Sequence, residues 1–329
     1  MQIVWAVLGV LLLLFVTIDI IWTTLWVDGG AGPLTNFVTS LIWKSLKKVG
    51  STGRILEQSG PLILIMTLIT WVTLAWMGWF MLFLFIEDPL INTIDGRPLT
   101  FIDLFYFTGT ILFTFGNGDY APSPGSMQVL ADLLAGYGMI ILSLGISYIL
   151  NVIDGVVEKR TLARDISSIG KTTEEFLTSF YDGYEFHDFS SYLNSISSDL
   201  NNTAIKQQAY PLLNYYHTDK PAKSVAYVLP VLADSLFVLK NGLKDRKKID
   251  DPFIKKSLAA IDHYLESIPA DFTSKKDDVT PELPDYDFLY RYHLPLLPKN
   301  EFRENFRKLE STRKDLYSAR HESFPKKAE

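Results

Sequence analysis

The chain contains no cysteine. That excludes disulfides, thiolate nucleophiles and cysteine-ligated metals. Its five histidines, His187, His217, His263, His293 and His321, show no metal-ligand spacing, so each reads as a surface or hydrogen-bonded core residue. Charge is sparse: Asp, Glu, Lys and Arg make up 21% of 329 residues, with a net charge of −6. No strongly basic face is present, which argues against a nucleic-acid partner. No helix carries arginine at regular spacing, so a dedicated voltage sensor is not expected. The sequence shows neither an internal repeat nor a Ser-His-Asp or paired-carboxylate arrangement. It is therefore not expected to be an enzyme or to need a cofactor.

What the chain has instead is long apolar runs, nearly all before residue 156. Candidate spans lie at 3–27, at 61–86 with Trp71, Trp76 and Trp79, and at 127–153. At about 1.5 Å per helical residue, each can cross a hydrocarbon core of about 30 Å. The first lacks a basic leading segment and a small-residue cleavage site, so it reads as an anchor and not a removed signal. Lys44, Lys47, Lys48 and Arg54 follow the first span, and Lys159, Arg160 and Arg164 follow the third. The loop 87–125 sets Glu87, Asp88, Asp95, Asp103 and Asp119 against Arg97 alone. Basic residues stay in the cytoplasm. The expected product is a multi-pass plasma-membrane protein, N-terminus outside and C-terminus cytoplasmic.

The domains expected are an N-terminal transmembrane helix (1–27), a cytoplasmic linker (28–59), a middle membrane domain (60–156) and a cytoplasmic helical domain (157–329). In the linker, Pro33 suits a first helical position. Leu34, Phe37, Val38, Leu41 and Leu46 then recur at helical spacing ahead of Lys47 and Lys48. That pattern reads as an amphipathic helix in the inner interface, with a plain surface helix as the alternative. Gly50 to Gly60 forms a hinge. Asp19 lies within the first span. An intramembrane acid is a functional candidate, but Trp22 and Trp26 nearby favour an interfacial acid.

In the middle domain, Gly96-Arg97-Pro98 marks a turn, and Thr100 with Asp103 forms an approximate capping box. The helix it starts, Phe101 to Phe113, is too short to span. It must re-enter from outside and stop halfway, with its negative dipole end favouring a cation at the membrane centre. Thr114-Phe115-Gly116-Asn117-Gly118-Asp119 follows. Non-helical backbone survives at membrane depth only if protein buries it or it lines an aqueous cavity. Glycines at alternate positions permit the alternating backbone handedness that turns successive carbonyls toward one axis. Those oxygens can replace the water shell of a cation. One chain supplies one such loop, so a C4 homotetramer in a lipid bilayer is expected.

These residues resemble the pore module of tetrameric potassium channels, whose signature is Thr-x-Gly-(Tyr/Phe)-Gly-Asp between a pore helix and an inner helix. The likeness covers about residues 60–156. It implies ion binding at Thr114, Phe115, Gly116, Asn117 and Gly118. It also implies that Asp119 supports the filter from behind, facing Tyr106 and Thr110; the alternative is a solvated vestibule carboxylate. Asn117 stands where that family has an aromatic ring, which leaves potassium against sodium open. Gly138 falls at the family's hinge position, with close helix packing as the alternative reading for it and for Gly145. Met139, Leu142, Ile146 and Leu150 form a stripe suited to a hydrophobic gate, with Asp154 at the inner mouth. Gly116 to Ala121 also fits the dinucleotide fingerprint G-x-G-x-x-A, but that motif needs a strand before it and a helix starting within it.

Beyond residue 160 the pattern is helical. Phe176, Leu177, Phe180 and Tyr184 form a stripe, and 225–239 reads as a buried core helix despite Pro230 and Asp234. The tail from about 308 is charged and expected to fray. The fold class is all-α membrane protein with three transmembrane helices, a re-entrant helix and a helical cytoplasmic domain. The expected function is a cation channel permeable to potassium. A nonselective channel of the same build and a non-conducting receptor or scaffold are its rivals. A ligand or protein partner of the cytoplasmic domain is left open.

Overall fold

The computed structural model describes residues 2–49, 57–94, 96–244, 251–269, 272 and 281–323. The hinge expected at Gly50 to Gly60 lies outside the described residues up to Leu56, as do Arg54 and Asp95. The chain divides into two compact units, residues 1–45 with 61–152 and residues 46–60 with 153–329.

The first unit is built on helices. Helix α1 (Gln2–Leu25), α2 (Pro33–Val49), α3 (Ser59–Phe83), the short α4 (Phe101–Leu112) and the long α5 (Ser126–Ile169) follow in order, the end of α2, the first residues of α3 and α5 beyond Val152 counting with the second unit. Of the described residues, α1, α3 and α5 are the helices long and apolar enough to cross a membrane. The chain is an all-α membrane protein with a helical C-terminal region. Gly9 and Gly78 bring α1 and α3 together: a Cβ on either would run into the other helix. Without a hydrophobic drive between helices in lipid, such close backbone contact is what holds them.

The sequence favoured Asp19 as an interfacial acid, and the structure shows what it binds. Asp19 is fully buried. Its carboxylate accepts hydrogen bonds from the backbone N–H of Leu34 at 2.8 Å and of Thr35 at 3.3 Å, from the Thr35 hydroxyl at 2.7 Å and from Trp71 Nε1 at 2.9 Å. A carboxylate on α1 therefore caps the N-terminus of α2, where orphan N–H groups and the helix dipole both favour negative charge. Gly32 is needed beside it, since a Cβ there would collide with the carboxylate. Asp19→Ala strands the buried Trp71 and Thr35 donors, each at about 1–3 kcal/mol. The expected result is a clear drop in the thermal midpoint of the detergent-solubilised protein, with Asp19→Asn falling in between. An unchanged midpoint for Asp19→Ala would rule out the capping role.

The stretch between α3 and α5 holds a small antiparallel ladder that the sequence did not signal, β1 (Leu90–Asn92) with β2 (Tyr120–Pro122). Its register pairs Leu90 with Pro122 and Asn92 with Tyr120.

The second unit packs α6 (Thr173–Phe180), α7 (Phe189–Ala209), α9 (Asp251–Glu266), α10 (Tyr286–Arg291), α11 (Lys299–Lys308) and α12 (Glu310–Ser323) around α8 (Val225–Asn241). As the sequence suggested, 225–239 is a core helix, with Val228, Leu232, Leu236 and Leu239 buried. Two expectations fail. Tyr184 leaves the α6 stripe: the helix ends at Phe180, a Tyr181–Phe186 bridge turns the chain, and Tyr184 is exposed. The tail does not fray at 308. It continues as α12, because Arg313 and Leu316 are buried and Arg313 pairs with Asp234 on α8.

Candidate functional site

Helix α4 starts where the sequence put it. Thr100 caps it, and Thr100 and Asp103 exchange side-chain and backbone bonds as a full capping box. Asp103 gathers more than a cap: Tyr120 donates its hydroxyl at 2.6 Å, and Arg97 clamps both carboxylate oxygens at 2.9 and 3.1 Å. The Tyr120 bond, then the Thr100 backbone and hydroxyl bonds, then Arg97, hold this carboxyl far below the usual range. Its contribution is thus full above the ordinary carboxylate pKa and falls progressively as the pH drops below it. Trp76 of α3 stacks on Phe105 at 4.3 Å and donates Nε1 to the Phe105 carbonyl. Gly109 makes that approach possible, since a Cβ there would enter the indole. Nothing in the sequence singled out either residue for this pairing.

The helix then stops abruptly. The N–H of Thr114 reaches the Ile111 carbonyl, and those of Phe115 and Gly116 both reach the Thr110 carbonyl at 2.7 and 3.4 Å. From there positive φ angles fall at alternate residues: +56° at Thr114, +52° at Gly116 and +81° at Gly118. Glycine adopts such angles freely, but a β-branched threonine does so under strain. The sequence flagged the two glycines and not Thr114. The residues from Phe113 to Gly118 are exposed in the single chain. A helix and not a strand runs directly into this turn, and no helix begins within it, so the dinucleotide reading has no structural support.

The far end of the turn is tied sideways. Thr93 donates its hydroxyl to the carbonyls of Gly118 at 2.8 Å and Asp119 at 2.9 Å, and its N–H reaches Asp119 O at 3.2 Å. The Gly118 carbonyl therefore serves the loop after β1. The Thr114 hydroxyl is likewise engaged, donating to Phe113 O at 2.7 Å. Behind the turn, Tyr106 donates to Asp119 Oδ2 at 3.1 Å, and the Asn117 amide donates to that oxygen at 2.6 Å and also to the Tyr106 hydroxyl. The Asn117 amide thus joins Tyr106 and Asp119 in one cluster. Thr110 is not part of this cluster: its hydroxyl turns back to Phe107 O, and its carbonyl anchors the start of the turn.

Further along, α5 runs unbroken through Gly138. A Cβ at Gly138 would collide with the Leu112 carbonyl, so this glycine makes room for the end of α4. Gly136 has open space beside it, and Gly145 meets Leu68 at an ordinary contact distance. Met139, Ile146 and Leu150 are each about 60% exposed in the single chain and Leu142 less so. Asp154 is not a free acid. The Lys206 ammonium lies 2.5 Å from Asp154 and 2.6 Å from Glu158, which offsets the charge expected at the inner mouth. Lys206 carried no signal in the sequence. Among the described residues, no group of His, Asp and Glu could hold a metal ion.

Residues 66–154 match a family described as "Ion channel". Over 299 residues the chain is 30% identical to "Uncharacterized membrane protein YdjJ" of Bacillus subtilis (strain 168), an alignment that covers 91% of this chain and 87% of the relative. No solved structure matches significantly.

Proposed function

The chain belongs to the same family as the Bacillus subtilis membrane protein YdjJ and carries an ion-channel module at 66–154; from this we propose a potassium-permeable cation channel formed by a homotetramer. The observation that carries this reading is the alternation of positive φ at Thr114, Gly116 and Gly118, just past a helix that stops short. Alternating handedness turns successive carbonyls the same way, and stacked carbonyls are what strips a cation of its water. Thr114, Phe115, Gly116 and Asn117 supply the oxygens. Gly118 gives the bend, and its carbonyl goes to Thr93. Asp119 and Tyr106 brace the turn through the Asn117 amide.

The tetramer has its own support. Beside the turn lies an open, almost wholly apolar groove lined by Trp76, Ile102, Phe105, Tyr106, Phe113 and Phe115. Phe115 is 72% exposed there in the single chain. A second copy of the chain covers such a face when four turns meet around an axis. The stripe Met139, Leu142, Ile146 and Leu150 then faces the cavity and closes it by dewetting. Bending at Gly138, despite its packing on Leu112, opens it.

Asn117 in place of an aromatic favours one rival, a nonselective monovalent channel. Reversal potentials under bi-ionic potassium and sodium separate the two: a shift toward potassium supports the first and a potential near zero the second. Absence of any flux in proteoliposomes refutes both. In Asn117→Ala the side-chain bonds to Tyr106 and Asp119 are gone, so the ring of turns is free to widen. Flux is expected to persist while the potassium-to-sodium permeability ratio falls by about tenfold, which corresponds to about 1.4 kcal/mol. A ratio equal to that of the unmodified channel would show that the amide does not set the width.

A further inference from the structure

The second unit contains a cavity that the conduction path does not use. Its walls come from Lys159 and Arg160 on α5, Gln207 on α7, the segment Asn214 to Thr218, and Lys223 to Ala226 at the start of α8. Val225, Tyr264, Ile268 and Phe272 form an apolar side. Among the described residues, no acidic side chain lines it. The cavity is about 60 Å³. An ordered water needs about 15 Å³ of such space. The room therefore suits roughly four waters, or one tetrahedral oxyanion.

Three features there agree in sign. Lys159, Arg160 and Lys223 make no ion pair among the described residues; the Lys159 ammonium donates only to the Leu213 carbonyl, at 3.4 Å. Arg164 and Lys220, then burial and Arg160, hold the Lys223 ammonium below its ordinary value, and Asp219 opposes them only in part. The first turn of α8 is in the wall, and Ser224 makes no side-chain cap there, so the helix offers uncapped N–H groups. Such a terminus attracts anions. Burial, then the nearby Lys159 and Lys47, push the His217 imidazole down to about 4, so it is neutral at pH 7.

The fourth feature points to an occupant. Gln207 is 1% exposed, and neither its Nε2 nor its Oε1 has a hydrogen-bond partner. A buried amide left unpaired costs about 1–3 kcal/mol. Tyr216 is a second lining residue whose buried hydroxyl has no partner. An amide, a phenol and cationic side chains around a space of this size match the oxygens of a phosphate group, which accepts from several donors at once.

We propose that this cavity binds a phosphate group, held by Lys159, Arg160 and Lys223 with Gln207 and Tyr216 as hydrogen-bond partners. The chemistry is shared by a phosphate monoester free in solution and by a phospholipid headgroup with an exposed phosphate. Lys159 and Arg160 lie on the same unbroken helix as the Met139 to Leu150 stripe. Occupancy therefore acts on the element expected to gate the pore. That consequence rests on the channel reading, whereas binding does not.

Binding is tested on the full-length protein in detergent by calorimetric titration with inorganic phosphate, against chloride at matched ionic strength. Phosphate is expected to bind and to raise the thermal midpoint. The double variant Arg160→Gln, Lys223→Gln is expected to weaken binding at least about tenfold, the scale of charge-assisted hydrogen bonds. Gln207→Leu guards against a mere folding failure. It removes an unpaired buried amide, so it is expected to be at least as stable as the parent while still losing affinity. Phosphate that behaves like chloride overturns the proposal. So do variants that bind phosphate as tightly as the parent. The source is read in nanodiscs. Phosphate binding that survives in phosphatidylcholine but is lost with phosphatidic acid assigns the site to a headgroup, and equal binding in both assigns it to a soluble phosphate.

Discussion

Gly118→Val is expected to abolish ion flux while the assembled protein keeps its size. The reason is conformational and not steric. A Cβ at Gly118 would meet nothing within 4 Å in the single chain. Its φ of +81°, however, lies where a β-branched residue is a strained outlier. The left-handed region costs a non-glycine residue roughly 1–2 kcal/mol, and in the proposed tetramer the cost is met once per subunit. Relieving it requires rotating the peptide, which in the proposed pore withdraws the Asn117 carbonyl from the axis and breaks the Thr93 bond to Gly118 O at 2.8 Å. A cation that has given up its water then finds a missing ring of ligands. Gly125→Val is the control. Gly125 has an even larger positive φ of +103° but lies in the turn just before α5. It should lower stability without stopping flux. Rubidium uptake into proteoliposomes, with size-exclusion chromatography of each variant, reads both. Undiminished uptake by Gly118→Val would refute the assignment of this turn as the conduction path.

What could be read from the sequence at this site was local. Thr100 and Asp103 stand three residues apart, and Gly116 and Gly118 two apart. Such spacings act through the backbone of the same segment, so propensity and turn chemistry reveal them. The same holds for the apolar runs that became α1, α3 and α5. What stayed hidden was carried by pairs distant in sequence. Thr93 reaches Gly118 across 25 residues, and Lys206 reaches Asp154 across 52. Asp19 reads alone as an acid in an apolar helix, and its partners Thr35 and Trp71 look ordinary until they converge. Thr110 is instructive in the other direction. Helical spacing places it one turn from Tyr106, yet its side chain folds back on its own helix, as threonine hydroxyls commonly do. Periodicity gives a face; it does not say which hydroxyl leaves that face to bond a neighbour.

Arg313→Leu is expected to cost the second unit about 3–5 kcal/mol, the range for a buried charge left without its partner. Arg313 and Asp234 are each 1% exposed. The guanidinium donates Nε to Asp234 Oδ1 at 2.7 Å and a terminal nitrogen to Oδ2 at 2.8 Å, and that nitrogen also reaches the Glu282 carbonyl at 2.5 Å. Its flat face lies over Phe306 at 5.3 Å and Tyr317 at 5.6 Å. Removing it leaves Asp234 inside the core helix α8 with, among the described residues, only the Tyr317 hydroxyl, 3.0 Å away. Arg313→Lys should recover little, because one ammonium cannot reproduce the bidentate fork. The double variant Asp234→Leu, Arg313→Leu should recover most of the loss, since a buried ion pair replaced by apolar side chains of similar volume is often neutral or better. Denaturant unfolding of Arg313→Leu, Asp234→Leu and the double variant gives the coupling directly. A single-variant loss below about 1 kcal/mol, typical of an exposed pair, would mean that α12 does not pack on α8 as described. The frayed tail read from the sequence would then be the better account. A large loss restored in the double variant ties α12 to the centre of the second unit's core through one pair of side chains.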